Sequence, residues 1–167
     1  MTYKILISSR TGNTNMLAAK ARKTLQGHTC VYDGPPTGQT PQADLCLVGF
    51  WTDKGNCDVQ TAHALTQLNG EQVFLFGTAG FGQSASYYRQ ILGRVASQLG
   101  ESNRVVGTYM CQGRMSPAIR QRYEQQLAAD PKNRQIQEMI ANFDSARTHP
   151  NQGDLAGFLS TLSPLLI

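Results

Sequence analysis

The chain has 167 residues with 15 basic and 11 acidic side chains, a formal net charge of +4. An apolar fraction of 40% and a charged fraction of 16% are typical of a globular chain and exclude a disordered one. No apolar run approaches the length of a membrane span and the N-terminus has no signal-peptide pattern, so we expect a cytoplasmic protein without a membrane partner, folded as one domain over residues 1–167.

Alternating apolar runs and helical patterns follow one another along the first two thirds of the chain. Strands are predicted at residues 3–8, 29–32, 45–49, 72–77 and 105–110, and helices at residues 15–25, 59–68 and 87–99. Nearly all-apolar strands separated by helices indicate a parallel sheet covered on both faces. Right-handed crossovers favour the strand order 2-1-3-4-5. We therefore predict a three-layer α/β sandwich around a five-stranded parallel sheet.

The last third of the chain predicts extra C-terminal helices. Three apolar stripes at helical spacing include Ile119 with Tyr123, Ile140 with Phe143, and Phe158 with the residues around it. We expect residues 111–167 to form a helical region that packs on a core of residues 1–110, while a homodimer surface and a partner surface stay open as alternatives. Before the last stripe, Asn151 is the expected helix cap and Asp154 the expected partner of the helix dipole.

The four cysteines show no metal-ligand spacing. Cys30, Cys46 and Cys111 are interpreted as small core residues, and Cys57 as a candidate for exposure. None of the three histidines stands in a pattern typical of a metal site or a catalytic triad. We predict neither a metal site nor a catalytic residue from these patterns.

A hydroxyl-rich loop lies between the first predicted strand and the first predicted helix. Free N–H groups and the helix dipole at such a turn attract a phosphate, and glycine lets the backbone turn tightly. An ordinary helix cap needs one polar side chain, whereas this loop has four. It lacks both G-x-x-x-x-G-K-[ST] and G-x-G-x-x-G, which disfavours nucleoside triphosphates and dinucleotides. The candidate phosphate-binding residues are Ser9, Arg10, Thr11, Gly12, Asn13 and Thr14.

Two aromatic segments are expected beside this loop. In the predicted strand order, ligands bind at the carboxyl edge of the sheet between the first and third strands. The segment after the third strand contains Trp51, the single tryptophan, and the segment after the fourth contains Phe81 among glycines. These side chains suit a flat, conjugated ring, and the alternative is that they close the ends of the core.

Together these three segments resemble the flavodoxin family over about residues 3–110. The resemblance implies an FMN cofactor and an electron-transfer function. It assigns the phosphate to residues 9–14 and the flavin ring to Trp51 and Phe81. It assigns the polar edge of the ring to the backbone of Thr52, Asp53, Lys54, Gly55, Thr78, Ala79 and Gly80. It also requires a residue that tolerates an unusual backbone after the third strand, for which Gly55 is the candidate.

Two functional classes remain open from the sequence. One is a carrier that passes single electrons between redox partners, a donor reductase and an acceptor enzyme. The other is an FMN-dependent reductase of a quinone, a tetrapyrrole or a similar compound. The chain shows no evident general acid and base pair, which favours the carrier. A phosphatase or receiver domain is disfavoured because its motifs are missing.

The basic charge departs from the flavodoxin pattern, because flavodoxins are typically acidic. Arg10 and Lys54 lie in the proposed flavin segments. Positive charge there should stabilise the anionic, fully reduced flavin and make the second reduction potential less negative. The basic residues are dispersed and no nucleic-acid motif is present, so we expect no nucleic-acid partner and favour an acidic redox partner.

Overall fold

The computed structural model describes residues 1–82 and 84–167, and six strands and six α-helices lie in that part of the chain. The strands are β1 (Thr2–Ile7), β2 (Thr29–Gly34), β3 (Leu45–Asp53), β4 (Asn56–Cys57), β5 (Gln72–Ala79) and β6 (Arg104–Gln112). The helices are α1 (Asn13–Thr24), α2 (Val59–Gln67), α3 (Ala85–Ala96), α4 (Pro117–Ala129), α5 (Arg134–Ala146) and α6 (Gln152–Leu162), followed by a 3-10 helix (Ser163–Leu166).

The main sheet has the order β2-β1-β3-β5-β6, with every pair parallel. The short strand β4 pairs only with β3, in antiparallel fashion. Without β4, this is the predicted order 2-1-3-4-5, which is confirmed. Chain progress reverses between β1 and β3, so a crevice opens at the carboxyl ends of these two strands.

The sheet is covered on both faces, which confirms the predicted three layers. On one face Leu17 of α1 and Phe158 of α6 belong to the same buried cluster as Phe74 of β5. On the other face Leu65 of α2 and Ile91 of α3 belong to a second buried cluster. Because strands buried on both faces need apolar residues at every position, their sequences are continuous apolar runs rather than alternating ones.

The C-terminal helices extend this architecture in two ways. The Phe158 ring of α6 packs at 5.3 Å from the Phe76 ring, between centroids, and is fully buried. Helices α4 and α5 pack on each other, and Arg120 bonds both carboxylate oxygens of Asp144 at 2.9 and 3.0 Å. Helix α6 starts with the predicted cap, since Asn151 and Asp154 exchange two side-chain to backbone hydrogen bonds.

The structure also corrects several predictions. Strands β3 and β5 run beyond residues 49 and 77, where the sequence predicted their ends. Strand β3 continues by pairing with β5 up to Trp51 and with β4 up to Asp53, and β5 continues by pairing with β6 up to Ala79. Cys30 was wrongly predicted as a core residue, since it is exposed on the edge strand β2. Cys57, a candidate for exposure, is buried. Within the described residues, no helix is both long and apolar enough to cross a bilayer.

Candidate functional site

A cavity of about 590 Å³ opens at the carboxyl edge of the sheet. Its wall combines the loop after β1, the ends of β3 and β5, the segment after β6 and the start of α4. Twelve predicted site residues line it: Arg10, Thr11, Asn13, Trp51, Thr52, Asp53, Lys54, Gly55, Thr78, Ala79, Gly80 and Phe81. The other three, Ser9, Gly12 and Thr14, belong to the same loop and helix start but are not part of the lining.

Helix α1 begins at this cavity without a side-chain cap. Its N-cap residue is Gly12, with a left-handed φ of 89°, and its first turn holds no acidic residue. By contrast, the side chains of Asp58, Ser84, Asn133 and Asn151 cap α2, α3, α5 and α6. The uncapped N-terminus leaves positive helix-dipole potential facing the cavity, which suits an anion.

Helix α4 is the second α-helix of the described chain without a side-chain cap. It starts after Ser116, with proline at its first position and no acidic residue in its first turn. Ser116, Arg114 and Thr11 all line the cavity. Two helix N-termini and a guanidinium therefore meet at one place. Nothing in the local sequence pattern showed that α4 would start beside α1.

We call residues 9–14 the phosphate loop. Asn13 holds this loop against the segment after β6. Its amide group donates to the Thr11 hydroxyl at 3.0 Å and to the Arg114 carbonyl at 2.8 Å. A Cβ atom on Gly113 would lie 2.5 Å from the Asn13 amide nitrogen, so only glycine permits this approach. The Asn13 Oδ1 atom is buried and has no hydrogen-bond partner among the described residues. A ligand hydroxyl is one donor that could satisfy it.

Thr14 connects the loop to the neighbouring strand ends. Its hydroxyl lies 3.1 Å from the Phe50 carbonyl and 2.9 Å from the Thr78 hydroxyl, and Thr14 is fully buried. The hydroxyl is thus engaged within the protein. Its contribution in this structure is to position the loop.

The segment after β3 is a tight hairpin rather than the irregular loop that the sequence suggested. Lys54 and Gly55 at its tip have φ values of 49° and 78°. Two consecutive positive φ angles are typical of a two-residue hairpin turn, and Gly55 is the residue predicted to tolerate such a backbone. The Arg94 guanidinium of α3 donates to the Gly55 carbonyl at 2.9 Å and holds the tip in place.

Aromatic side chains line the cavity at the hairpin and at the end of β5. The Arg10 guanidinium lies 5.2 Å from the centre of the Trp51 ring, a cation–π contact. Phe81 is 44% exposed. The Thr52 hydroxyl donates to the Thr78 carbonyl at 2.9 Å and joins the two segments. Tyr87 of α3 also lines the cavity, and sequence reasoning missed it.

The described lining contains four cations, one carboxylate and no histidine or cysteine. The cations are Arg10, Lys54, Arg114 and Arg122, and the carboxylate is Asp53. Strand β6, which leads to the cavity wall, contains Cys111. This cysteine is buried, and burial raises the pKa of its thiol to about 12. No thiolate nucleophile forms there at neutral pH.

A second cavity of about 730 Å³ adjoins the first. The two share Thr11, Arg114, Met115 and Ser116, and the second continues between α4 and α5 as far as Phe143. No local sequence pattern indicates this cavity, because it depends on how these two helices pack.

A flavodoxin domain family matches residues 4–162 of the chain. The flavodoxin-like domain-containing protein BilS of Clostridium symbiosum is 39% identical over 95% of this chain and 92% of its own length. A protein of the same name from Clostridioides difficile is 26% identical over 93% of this chain and 90% of its own length.

Solved structures show the same fold. A short-chain flavodoxin associated with a non-canonical PDU bacterial microcompartment has a TM-score of 0.52 at 14% identity, covering 87% of this chain and 96% of that one. Oxidised flavodoxin 1 from Bacillus cereus has a TM-score of 0.50 at 13% identity, covering 87% of this chain and 98% of that one.

The fold and the cavity are typical of an α/β protein with its ligand site at the topological switch point of the sheet. The chain belongs to the flavodoxin family. FMN is the cofactor of that family and of this chain. The site fits FMN. The cavity volume suits a ligand of this size, and the N-terminus of α1, where residues 9–14 meet the helix, has no side-chain cap. The Asn13 Oδ1 atom has no hydrogen-bond partner among the described residues, so a donor of the ligand can bond it.

Proposed function

We propose that this protein is a cytoplasmic electron carrier that passes single electrons between redox partners. Bound FMN supplies the redox chemistry, because a flavin accepts electrons one at a time or in pairs. Residues 1–110 would form most of the cofactor-binding core, and residues 111–167 would add the end of β6, the helices that pack on this core, and the part of the cavity wall that contains Arg114 and Arg122. The observation that carries this proposal is the lining of the cavity, with one carboxylate and no histidine among its described residues. A substrate reductase needs a proton donor at the reacting atom, and the described lining offers Asp53, Lys54 and Tyr87 but no histidine, the residue that most often takes this role.

The phosphate would be held by the loop of residues 9–14. Thr11 presents a hydroxyl, and the start of α1 presents backbone N–H groups. Thr14 would position the loop through its bond to the Phe50 carbonyl, and Asn13 through its bond to the Arg114 carbonyl. Arg114 and the start of α4 would add positive potential beside this loop.

The ring would lie between the hairpin and the end of β5. Trp51 and Phe81 would contact it, and the backbone of residues 52–55 and 78–80 would bond its polar edge. The partial exposure of Phe81 supports this role, because a carrier must let its cofactor approach a partner. Arg94 fixes the hairpin tip through the Gly55 carbonyl and so orients this backbone.

A comparison of electron sources tests the proposal. The purified FMN-loaded protein is mixed anaerobically with NADPH alone, and then with NADPH and a catalytic amount of a ferredoxin–NADP reductase. We expect slow bleaching of the flavin absorbance with NADPH alone and fast bleaching once the reductase is present. Rapid bleaching by NADPH or NADH alone, with steady turnover on a quinone, would favour the reductase instead.

A further inference from the structure

We propose that the mouth of the cofactor cavity is a docking surface for an acidic redox protein. The inference rests on the proposed function and adds the chemistry of the partner. It follows from the charges around the cavity, from the absence of ion pairs between them and carboxylates of the described chain, and from an exposed aromatic side chain beside them.

Four cations from four separate segments surround the cavity. Arg10 follows β1, Lys54 lies at the hairpin tip, Arg114 follows β6, and Arg122 lies on α4, and all four are exposed. We call these four side chains the basic rim. The chain has 15 basic and 11 acidic residues, yet the described lining holds four of the former and one of the latter, Asp53. The positive potential is therefore concentrated at the site of electron transfer.

Of the basic rim, Lys54 and Arg122 are the side chains left for a partner, because Arg10 and Arg114 also lie at the proposed phosphate site and Arg10 contacts the Trp51 ring. Elsewhere in the chain Arg22 pairs with Asp33 and Arg120 with Asp144. No ion pair involves any rim residue among residues 1–82 and 84–167. Unpaired, exposed cations keep their attraction for an approaching protein, and a cluster of one sign raises association rates by about 10- to 1000-fold at low salt.

Phe81 adds an apolar contact at the mouth. At 44% exposure it is one of the few large apolar side chains of the described chain that face solvent. An apolar centre with a charged surround is the usual anatomy of a transient protein interface. One aromatic side chain is little apolar area for insertion into a lipid surface, so the arrangement favours a protein over a membrane.

The experiment uses one haem protein with either sign of charge. The FMN-loaded protein is reduced anaerobically with dithionite, freed of excess reductant, and mixed in a stopped-flow instrument with native cytochrome c, which is basic, or with succinylated cytochrome c, which is acidic. In each encounter one electron leaves the reduced protein and converts ferric haem to ferrous haem. The second-order rate constant is measured across a range of ionic strength.

We expect the rate constant with succinylated cytochrome c to fall as salt rises, and that with the native form to rise. Lys54→Glu/Arg122→Glu should slow the reaction with the succinylated form about tenfold at low salt. The matched control is Lys23→Glu/Arg104→Glu, which changes net charge equally. Both control residues are exposed and lie at the other edge of the sheet, near the end of α1 and at the start of β6. We expect the control to alter the rate less than about twofold.

The outcomes separate the docking surface from the proposed function. Equal slowing by the rim and control variants would overturn the docking surface, since only net charge would then matter. Stronger binding of the wild type than of the rim variant to phosphatidylserine vesicles, with unchanged haem reduction, would overturn it in favour of a membrane. If the wild type reduces neither form of cytochrome c, the proposed function itself fails. FMN content is measured for every variant. If Lys54→Glu/Arg122→Glu loses FMN, the single change Arg122→Glu takes its place in the comparison.

Discussion

The hydroxyl groups of Thr14 and Thr78 lie 2.9 Å apart in the interior, directly beneath the phosphate loop. Thr14 belongs to the first turn of α1 and Thr78 to the end of β5, so this contact joins segments that are distant in sequence. The second contact of the Thr14 hydroxyl, with the Phe50 carbonyl, adds the end of β3. A single buried side chain thus joins three of the segments that form the cofactor cavity.

Replacing Thr14 with valine removes the hydroxyl at nearly constant volume. The Phe50 carbonyl and the Thr78 hydroxyl then each lose a partner in a site where water has little access. We expect the free energy of unfolding to fall by about 1–3 kcal/mol and FMN affinity to fall with it. Urea denaturation of the apoprotein measures the first and quenching of flavin fluorescence the second. Thr14→Ser keeps the hydroxyl and is the control; equal destabilisation by both changes would show that the hydroxyl is not the cause.

Arg114 is expected to act on the phosphate of the cofactor. Its backbone is fixed by Asn13 and by His149, whose carbonyl accepts from the Arg114 N–H at 3.0 Å. Arg114→Gln should weaken FMN binding about fivefold, corresponding to roughly 1 kcal/mol for one charged contact, and leave riboflavin binding nearly unchanged. Arg122→Gln removes a rim charge farther along α4 and should affect FMN less. An equal loss of affinity for FMN and riboflavin would contradict the assignment.

The sequence predicted the strand order and a helix close behind the first strand, because both depend on local patterns; α1 starts at Asn13, two residues before the predicted start. Continuous apolar runs identify buried parallel strands, and a polar, glycine-containing turn identifies a helix start at their carboxyl edge. The left-handed φ values of Gly12 and Gly55 agree with the roles assigned to them from residue type.

The hairpin after β3 was not predictable in the same way. Thr52 and Asp53 end the apolar run, and their pairing with Cys57 and Asn56 depends on a two-residue turn whose first residue is a lysine with positive φ. The contribution of Arg122 to the cavity was also missed, because it depends on where α4 packs. Cys30 was misplaced because an edge strand exposes side chains that a central strand would bury.

Lys4 shows a further limit of pattern reasoning, since it is a buried cation in an apolar strand. Its ammonium group lies 2.6 Å from the Glu71 carboxylate and bonds the Thr40 hydroxyl and the Pro41 carbonyl at 3.0 Å each. Lys4→Met should reduce the free energy of unfolding by about 3–5 kcal/mol, because it leaves a buried carboxylate without its partner. The double change Lys4→Met/Glu71→Leu should recover most of that loss. Chemical denaturation of the apoprotein measures both, and a double variant no more stable than the single one would refute the pairing argument.

Thiol reactivity reports directly on the burial of the cysteines. Burial raises the pKa of the Cys46 and Cys111 thiols to about 12, so both stay protonated and shielded at pH 8. Cys30 is exposed. We expect the native protein to show one rapid phase with Ellman's reagent at pH 8, and Cys30→Ser to abolish it. Rising pH should speed the other thiols only as it nears their raised pKa. A rapid phase that persists in Cys30→Ser would place another cysteine at the surface.

An anaerobic potentiometric titration of the FMN-loaded protein, followed by its absorbance spectrum, distinguishes a carrier of single electrons from a two-electron reductase. We expect one FMN per protein and two separate one-electron steps, the second at a less negative potential than acidic flavodoxins have, because Arg10 and Lys54 line the cavity. Failure to bind FMN, or reduction in a single two-electron step, would contradict an FMN-dependent carrier of single electrons.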